Sequence, residues 1–434
     1  MPTVVVGAGV TGLTVALQCL RAGQQVVVLE RESVVGGLCR SYHYGDFSFD
    51  IGPHRLFSAD PEIDEHFLSI LGAEQVNVPR VSQVNLNGTY HDWPLGMKSI
   101  PRLSPRMLLG CLVDLLPHTH GEIVNLRDFV LDRYGKTIYR TFWEDYTEKF
   151  LGVPCTEVAA EWGALSVNRS VIDKGKRPGG LVELLYNTLC HKKSPLQFRY
   201  PLGGMGAYPE KLATMVRELG GEIRLDQEVT AIRKEQGRIC ELTTREGSHQ
   251  VDNLVWTGSL VAACSLLNIP PPELDYLDIA LLNLEVEGEL GGDWQWVYFP
   301  DKRHIFSRIS RPDAFLPAMT PAGMTGLCVE VTLPAGSPYQ ASDSALESRV
   351  YEDLVKVGLL RNASQIVGAH KEHVKDAYPI YTCGFRDGVD STFSSLAPYK
   401  NLHMVGRMAR FEHDNIDEAV GAALELAPNI QPPA

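Results

Sequence analysis

The chain has 434 residues, 44% of them hydrophobic and 21% charged, with a formal net charge of −13. That length exceeds one simple core and predicts two or three domains, while the acidic balance argues against nucleic acid and anionic membrane surfaces as partners. The nine cysteines form no Cys-x-x-Cys, "MPTVVVGAGV" lacks a positively charged leader, and no apolar run reaches the ~18 residues that span a bilayer. The expectation is a cytoplasmic protein with free thiols, no metal centre and no membrane span.

In chain order, "TVVV", the periodic "TGLTVALQCLRAG" and "QQVVVLE" read as strand, helix and strand, the start of a parallel βαβ unit. From about 60 to 200 the texture becomes helical and aromatic, in "PEIDEHFLSILG", in residues 126–152 and in "GGLVELLYNTLC" (179–190). The apolar stretch 103–116 is read as core helix, with a mouth for an apolar substrate as the alternative. Over 210–257 the βαβ texture returns, with the helix "PEKLATMVRELGG" and the strands "EIRLDQEVTAIRKE", "RICELTTREG" and "VDNLVWTG". The runs "IALLNLEVEG", "WQWVYFP" and "TGLCVEVTL" predict a second, mostly antiparallel sheet, and "SALESRVYEDLVKVGLL" a helix beside it. These textures divide the chain into a discontinuous domain of 1–75, 200–275 and 370–434, a helical insertion at 76–199, and a sheet-and-helix unit at 276–369.

"GAGVTG" places Gly7, Gly9 and Gly12 in G-x-G-x-x-G spacing between a strand and a helix. The first glycine permits a tight turn, the second admits a pyrophosphate to the backbone, and the third lets helix and strand pack closely. Glu30 closes the next strand 18 residues after Gly12, where its carboxylate can accept from ribose hydroxyls and repel a 2′-phosphate. Gly36-Gly37 follows, with Arg40 three residues on. Such a glycine pair passes close to a ligand, and the arginine can meet a phosphate. This succession resembles the glutathione-reductase-type fold and implies FAD. Arg31 and Val229 are assigned to the same cofactor site. Two metal-like groups, Asp60/Asp64/Glu65/His66 and His118/His120, are read as a solvated helix face and a surface loop.

From residue 36 onward the chain resembles the protoporphyrinogen oxidase, amine oxidase and UDP-galactopyranose mutase group. The resemblance runs through "GPH" (52–54), "RVSQVNLNGTYHDWPL" (80–95), 132–162, "FRYPLGGMGAYPEKLA" (198–213), "WVYFPDKRHIFSRIS" (296–310), "YPIY" and "GRMARFEHDNIDEAV" (406–420). It implies an α/β fold: an FAD-binding Rossmann domain with an inserted helical region and a mostly antiparallel substrate-domain sheet. It places His54 against the flavin, Tyr298 and Arg308 on the substrate, and Arg169, with Arg80 also considered, as a second arginine for an anionic group. Gly406, Arg407, Asn415 and Asp417 form the closing half of the cofactor site, with Asn415 and Glu418 as a capping pair at a helix start.

The pattern departs from the mutases at Leu95-Gly96, where those enzymes grip uracil, and at Tyr208, where they carry tryptophan. Three readings stand. One is a mutase-like enzyme that uses reduced flavin, supplied by an electron donor, on a nucleotide sugar or similar anionic small molecule. Another is a flavin oxidase or dehydrogenase that removes a hydride from a C–N or C–C bond. The last is an FAD-binding scaffold without catalysis.

Overall fold

The computed structural model describes residues 2–95, 97–116, 121–170 and 197–430. The expected helix at 179–190, the histidines at 118 and 120, and Cys190 lie outside the described residues. The cysteines described are all free, and most are buried.

Two sheets organise the molecule. The first is five-stranded and parallel throughout, in the order Leu402–Met404, Asn253–Trp256, Thr3–Val6, Val26–Leu29 and Glu222–Arg224. Its central strands are near-continuous valine and leucine because a parallel sheet is covered on both faces. The helices Val10–Arg21, Ala207–Glu218 and Ile416–Leu426 pack on one face. On the other, a three-stranded antiparallel meander over Ala231–Gln250 presses Ile239 and Leu242 toward Val4 and Leu254. "EIRLDQEVTAIRKE" is thus two strands, not one: Glu222–Arg224 joins the parallel sheet and Ala231–Glu235 the meander.

The second sheet has seven strands, in the order Ile366–Ile380, Asp275–Glu287, Met324–Leu333, Arg308–Ser310, Trp296–Tyr298, Ser82–Leu86 and Thr89–Asp92. Every pairing is antiparallel except Trp296–Tyr298 with Ser82–Leu86. Two domain borders read from texture therefore shift. Residues 82–92, assigned to the helical insertion, complete this sheet, and so does Ile366–Ile380, whose end had been given to the cofactor domain. The reason is local: Ser82–Leu86 is five residues long, and Ile366–Ile380 is largely half-exposed, so neither shows strong alternation.

The helical region shares one apolar cluster with residues of both sheets. Helix Leu126–Ile138 passes into a π-helical turn, Tyr139–Trp143, and then helix Glu144–Leu151. A π-turn adds a residue per turn and re-aims the side chains beyond it. From Glu144–Leu151, Lys149 reaches the other way. Its ammonium donates to the carbonyls of Phe299, Asp301, His304 and Phe306, the loop between strands Trp296–Tyr298 and Arg308–Ser310.

Helix Pro105–Val113 forms as expected but does not enter the core. None of its residues is buried, and Leu109 and Leu112 are 64% and 62% exposed. Its end is pinned where Asp114 accepts from the Thr137 amide at 2.6 Å, against Gly135. The apolar pattern was read correctly, but the fold leaves that face open. No helix among the described residues is long and apolar enough to cross a membrane.

Candidate active site

A cavity of about 1190 Å³ runs between the two sheets, larger than the roughly 300–1,000 Å³ usual for one small ligand. Apart from Gly12, every residue assigned from sequence to the cofactor lines it.

The nucleotide half is built by backbone. Gly7 holds φ +105°, and a β-carbon there would come within 2.2 Å of Thr257 Oγ1. Gly9 has open space around the same position, on the cavity side of the helix start. Gly12 is packed so closely on the first turn that a β-carbon would lie 2.0 Å from the Gly7 carbonyl oxygen. The first amides of helix Val10–Arg21 lack intrahelical acceptors, which suits a pyrophosphate. Glu30 is held by amides, Oε2 accepting from Ala8 at 2.6 Å and Oε1 from Glu32 at 3.0 Å. Gly36, at φ +111°, donates to Ala8 O at 2.8 Å, and Gly37 lies against Gly9. Arg31 is exposed beside Glu32, Arg40 donates to Tyr42 Oη, and the Gln227–Val229 segment joins Glu30 through Gln227 N–H. An open glycine cradle, free helix amides and a fixed carboxylate fit an adenine dinucleotide.

The other half begins at the Gly52-Pro53-His54 turn. Gly52 (φ +68°) rests on an ion pair: a β-carbon would come within 2.7 Å of Glu330 Oε1 and 3.1 Å of Arg308 Nη2. Arg308 grips buried Glu330 with a two-pronged fork at 2.6 and 2.7 Å and also reaches Tyr378 Oη at 3.4 Å. The expected free diphosphate clamp is therefore already occupied by a carboxylate. Burial, then the Arg308 and Arg407 charges, push His54 down to about 3, so its ring is neutral. Its Nδ1 has no hydrogen-bond partner among the described residues. Gly406 turns at φ +89°, and Arg407 lies 4.5 Å over the Tyr378 ring, which stacks on His413. Asn415 and Glu418 form the capping box of helix Ile416–Leu426, with Asp417 buried in its first turn. Arg169 falls in the last turn of helix Ala160–Ser170, and its side chain lies outside the described residues.

An aromatic wall faces these groups, and sequence reading missed it. Phe142, Tyr146 and Phe150 stack along one face of the helix at 5.9 and 5.8 Å, and Trp93 lies flat on Phe142 at 4.5 Å. Tyr298 meets Trp93 and Tyr146 edge-on. The four-residue spacing of Phe142, Tyr146 and Phe150 was a visible signal. Arg55, also missed, directly follows His54 and lines the cavity. The Asp60–His66 group holds no metal site among the described residues: His66 is buried, and Asp64 pairs with Arg199. Asp145 and Glu148 bind Lys302 at the surface.

The chain is 25% identical to phytoene dehydrogenase from Streptomyces griseus over 303 residues, covering 62% of this chain and 56% of that protein. It is 27% identical to 4,4′-diapolycopene oxygenase from a Methylomonas species over 316 residues, covering 62% and 58%. The chain thus spans less than two thirds of the length of these curated relatives. The fold is shared with reduced UDP-galactopyranose mutase (TM-score 0.81, 19% identity, 99% of this chain and 94% of that one). It is also shared with cyclohexylamine oxidase from Brevibacterium oxydans IH-35A (TM-score 0.67, 14% identity, 99% of each chain). Residues 5–71 match the NAD(P)-binding Rossmann-like domain, and residues 183–430, more than half of the chain, match the flavin-containing amine oxidoreductases. The chain belongs to the flavin-containing amine oxidoreductase family, and the cofactor of its Rossmann half is FAD.

Proposed function

We propose that the protein is an FAD-dependent dehydrogenase or oxidase that oxidises a C–C or C–N bond of a substrate with a substantial apolar portion, a hydride leaving its C–H for the flavin and a proton leaving the neighbouring atom for solvent. The observation that carries this reading is the wall of Trp93, Phe142, Tyr146, Phe150 and Tyr298 facing the flavin half of the cavity. Bound FAD would supply the hydride acceptor. The wall would exclude water and hold the substrate flat, which orients one bond for transfer. His54 stays neutral and adds no charge beside the reacting carbon. Arg407, seated on Tyr378, gives the same region a fixed cation. The relatives named above, a phytoene dehydrogenase and a diapolycopene oxygenase, support an apolar substrate.

The mutase-like reading has the shared fold as its support, but Glu330 occupies the arginine it requires. A paired assay separates the two. Under anaerobic conditions, donors with an apolar amine or polyene body, acid-bearing ones included, should bleach the oxidised flavin. Isomerisation of a nucleotide sugar only after dithionite reduction, with no bleaching by any apolar donor, would overturn the proposal.

A further inference from the structure

Arg55 is a charged side chain of the cavity that finds no acceptor among the described residues. It is enclosed by protein yet keeps partial exposure, and it lines the cavity. Its guanidinium makes no hydrogen bond or ion pair among the described residues. It lies against two aromatic faces instead, with its central carbon 4.7 Å from the Phe198 ring centre and 5.8 Å from that of Trp296. Arg80 lies over the same indole at 5.5 Å. The fields of Arg80 and Arg308 repel Arg55, and Asp417 is the carboxylate that opposes them. Glu330, the other buried acid nearby, is held by both prongs of Arg308. Burial, followed by the Arg80 charge, pushes Arg55 down to about 10, which leaves it a cation at neutral pH.

A planar fork of five donors seated near two aromatic rings suits an oxyanion that offers two oxygens, a carboxylate or a phosphate. Trp296 and the adjoining Trp93 and Tyr298, which line the cavity, suit an aromatic or polyene body attached to that oxyanion. Trp296 and Tyr298 alternate with Val297 on a short strand, so both face the cavity while Val297 enters the sheet core. The anion end and the aromatic wall are therefore joined by one strand.

We propose that Arg55 anchors an oxyanion, a carboxylate or phosphate, carried by the substrate, so that the substrate is an amphipathic acid rather than a neutral hydrocarbon or a bare amine. This rests on the apolar-substrate reading above, but its test needs no turnover. Benzoate, phenyl phosphate and the neutral benzamide are titrated into the oxidised holoenzyme, with the flavin absorbance difference spectrum as readout. At least one anion should bind tenfold or more tightly than benzamide. Arg55→Met should abolish that preference while retaining flavin and thermal midpoint, and Arg55→Lys, which keeps charge but loses the fork, should retain part of it. Equal binding of benzamide by the native enzyme, or an unchanged anion preference in Arg55→Met, would overturn the proposal. A shift of the flavin midpoint potential in Arg55→Met with unaltered anion affinity would also overturn it, because the arginine would then serve the cofactor ring. Failure of flavin bleaching by apolar donors leaves these binding results standing, so the two readings fail separately.

Discussion

Replacing Glu330 by glutamine keeps its shape and removes its charge. The carboxylate is 3% exposed and takes both prongs of Arg308 at 2.6 and 2.7 Å. Removing one partner of a buried pair costs about 3–5 kcal/mol because the remaining charge stays desolvated. The Arg308 side chain keeps 20% of its exposure, toward the cavity, so the lower end, about 3 kcal/mol, applies. At roughly 2 °C per kcal/mol for a large domain, Glu330→Gln should lower the thermal midpoint of the sheet domain by on the order of 6 °C. The Gly52–His54 turn rests on this pair, so the flavin spectrum should change as well. The double variant Arg308→Met/Glu330→Met should recover most of the stability, since apolar replacement of a whole buried pair is close to neutral. Differential scanning calorimetry of the holoenzyme measures both. A single variant as stable as the native chain, or a double variant that is the sum of its parts, would refute the argument that the pair is a closed unit under the turn.

Two glycines of the first turn should separate folding from cofactor binding. Gly9→Ala meets open space at an ordinary φ of −75°, so the apoprotein should keep its thermal midpoint while flavin affinity falls tenfold or more. Gly12→Ala places a methyl 2.0 Å from the Gly7 oxygen and should lower both, as flavin-to-protein ratio and midpoint report. Asp417→Leu removes a buried carboxylate from the first turn of helix Ile416–Leu426, and flavin content or midpoint potential should shift; no change in either would count against a flavin-facing helix start. His54 titrates near 3 when folded, below its usual 6.5. Between those values the unfolded chain holds a proton the folded one refuses, so this contribution is complete above pH 6.5 and is lost as pH falls toward 3. His54→Gln should remove at most ~1.4 kcal/mol per pH unit of that slope, which urea melts at pH 7, 6 and 5 would show.

The cofactor half was legible because its chemistry is local. Gly7, Gly9, Gly12, Glu30 and the Gly36-Gly37 pair all lie within 31 residues and meet through glycine backbone and one carboxylate. The substrate half was not, because its partners meet only in three dimensions. Arg308 could be picked from its motif, but nothing near it in sequence announces Glu330 across the strand pair Arg308–Ser310 and Met324–Leu333. Ser82–Leu86 pairs in parallel with Trp296–Tyr298 across more than 200 residues, and each is too short to declare itself. Arg55 was not legible because Phe198, Trp296 and Arg80, which define its setting, meet it only in the fold. Apolar periodicity correctly predicted a helix near 105–113, but it cannot tell a covered face from an open one.

Lys149 gives the aromatic wall an unexpected rigidity. Its single ammonium gathers four main-chain oxygens from residues 299, 301, 304 and 306, the task a calcium ion performs in an oxygen-lined loop. Tyr146 and Phe150 ride on the same helix, while Tyr298 and Arg308 stand at the two ends of the loop so gathered. A bulky guest that spreads Tyr146 from Tyr298 would have to stretch that oxygen cluster, so the width of the slot is set by a lysine that never touches the guest.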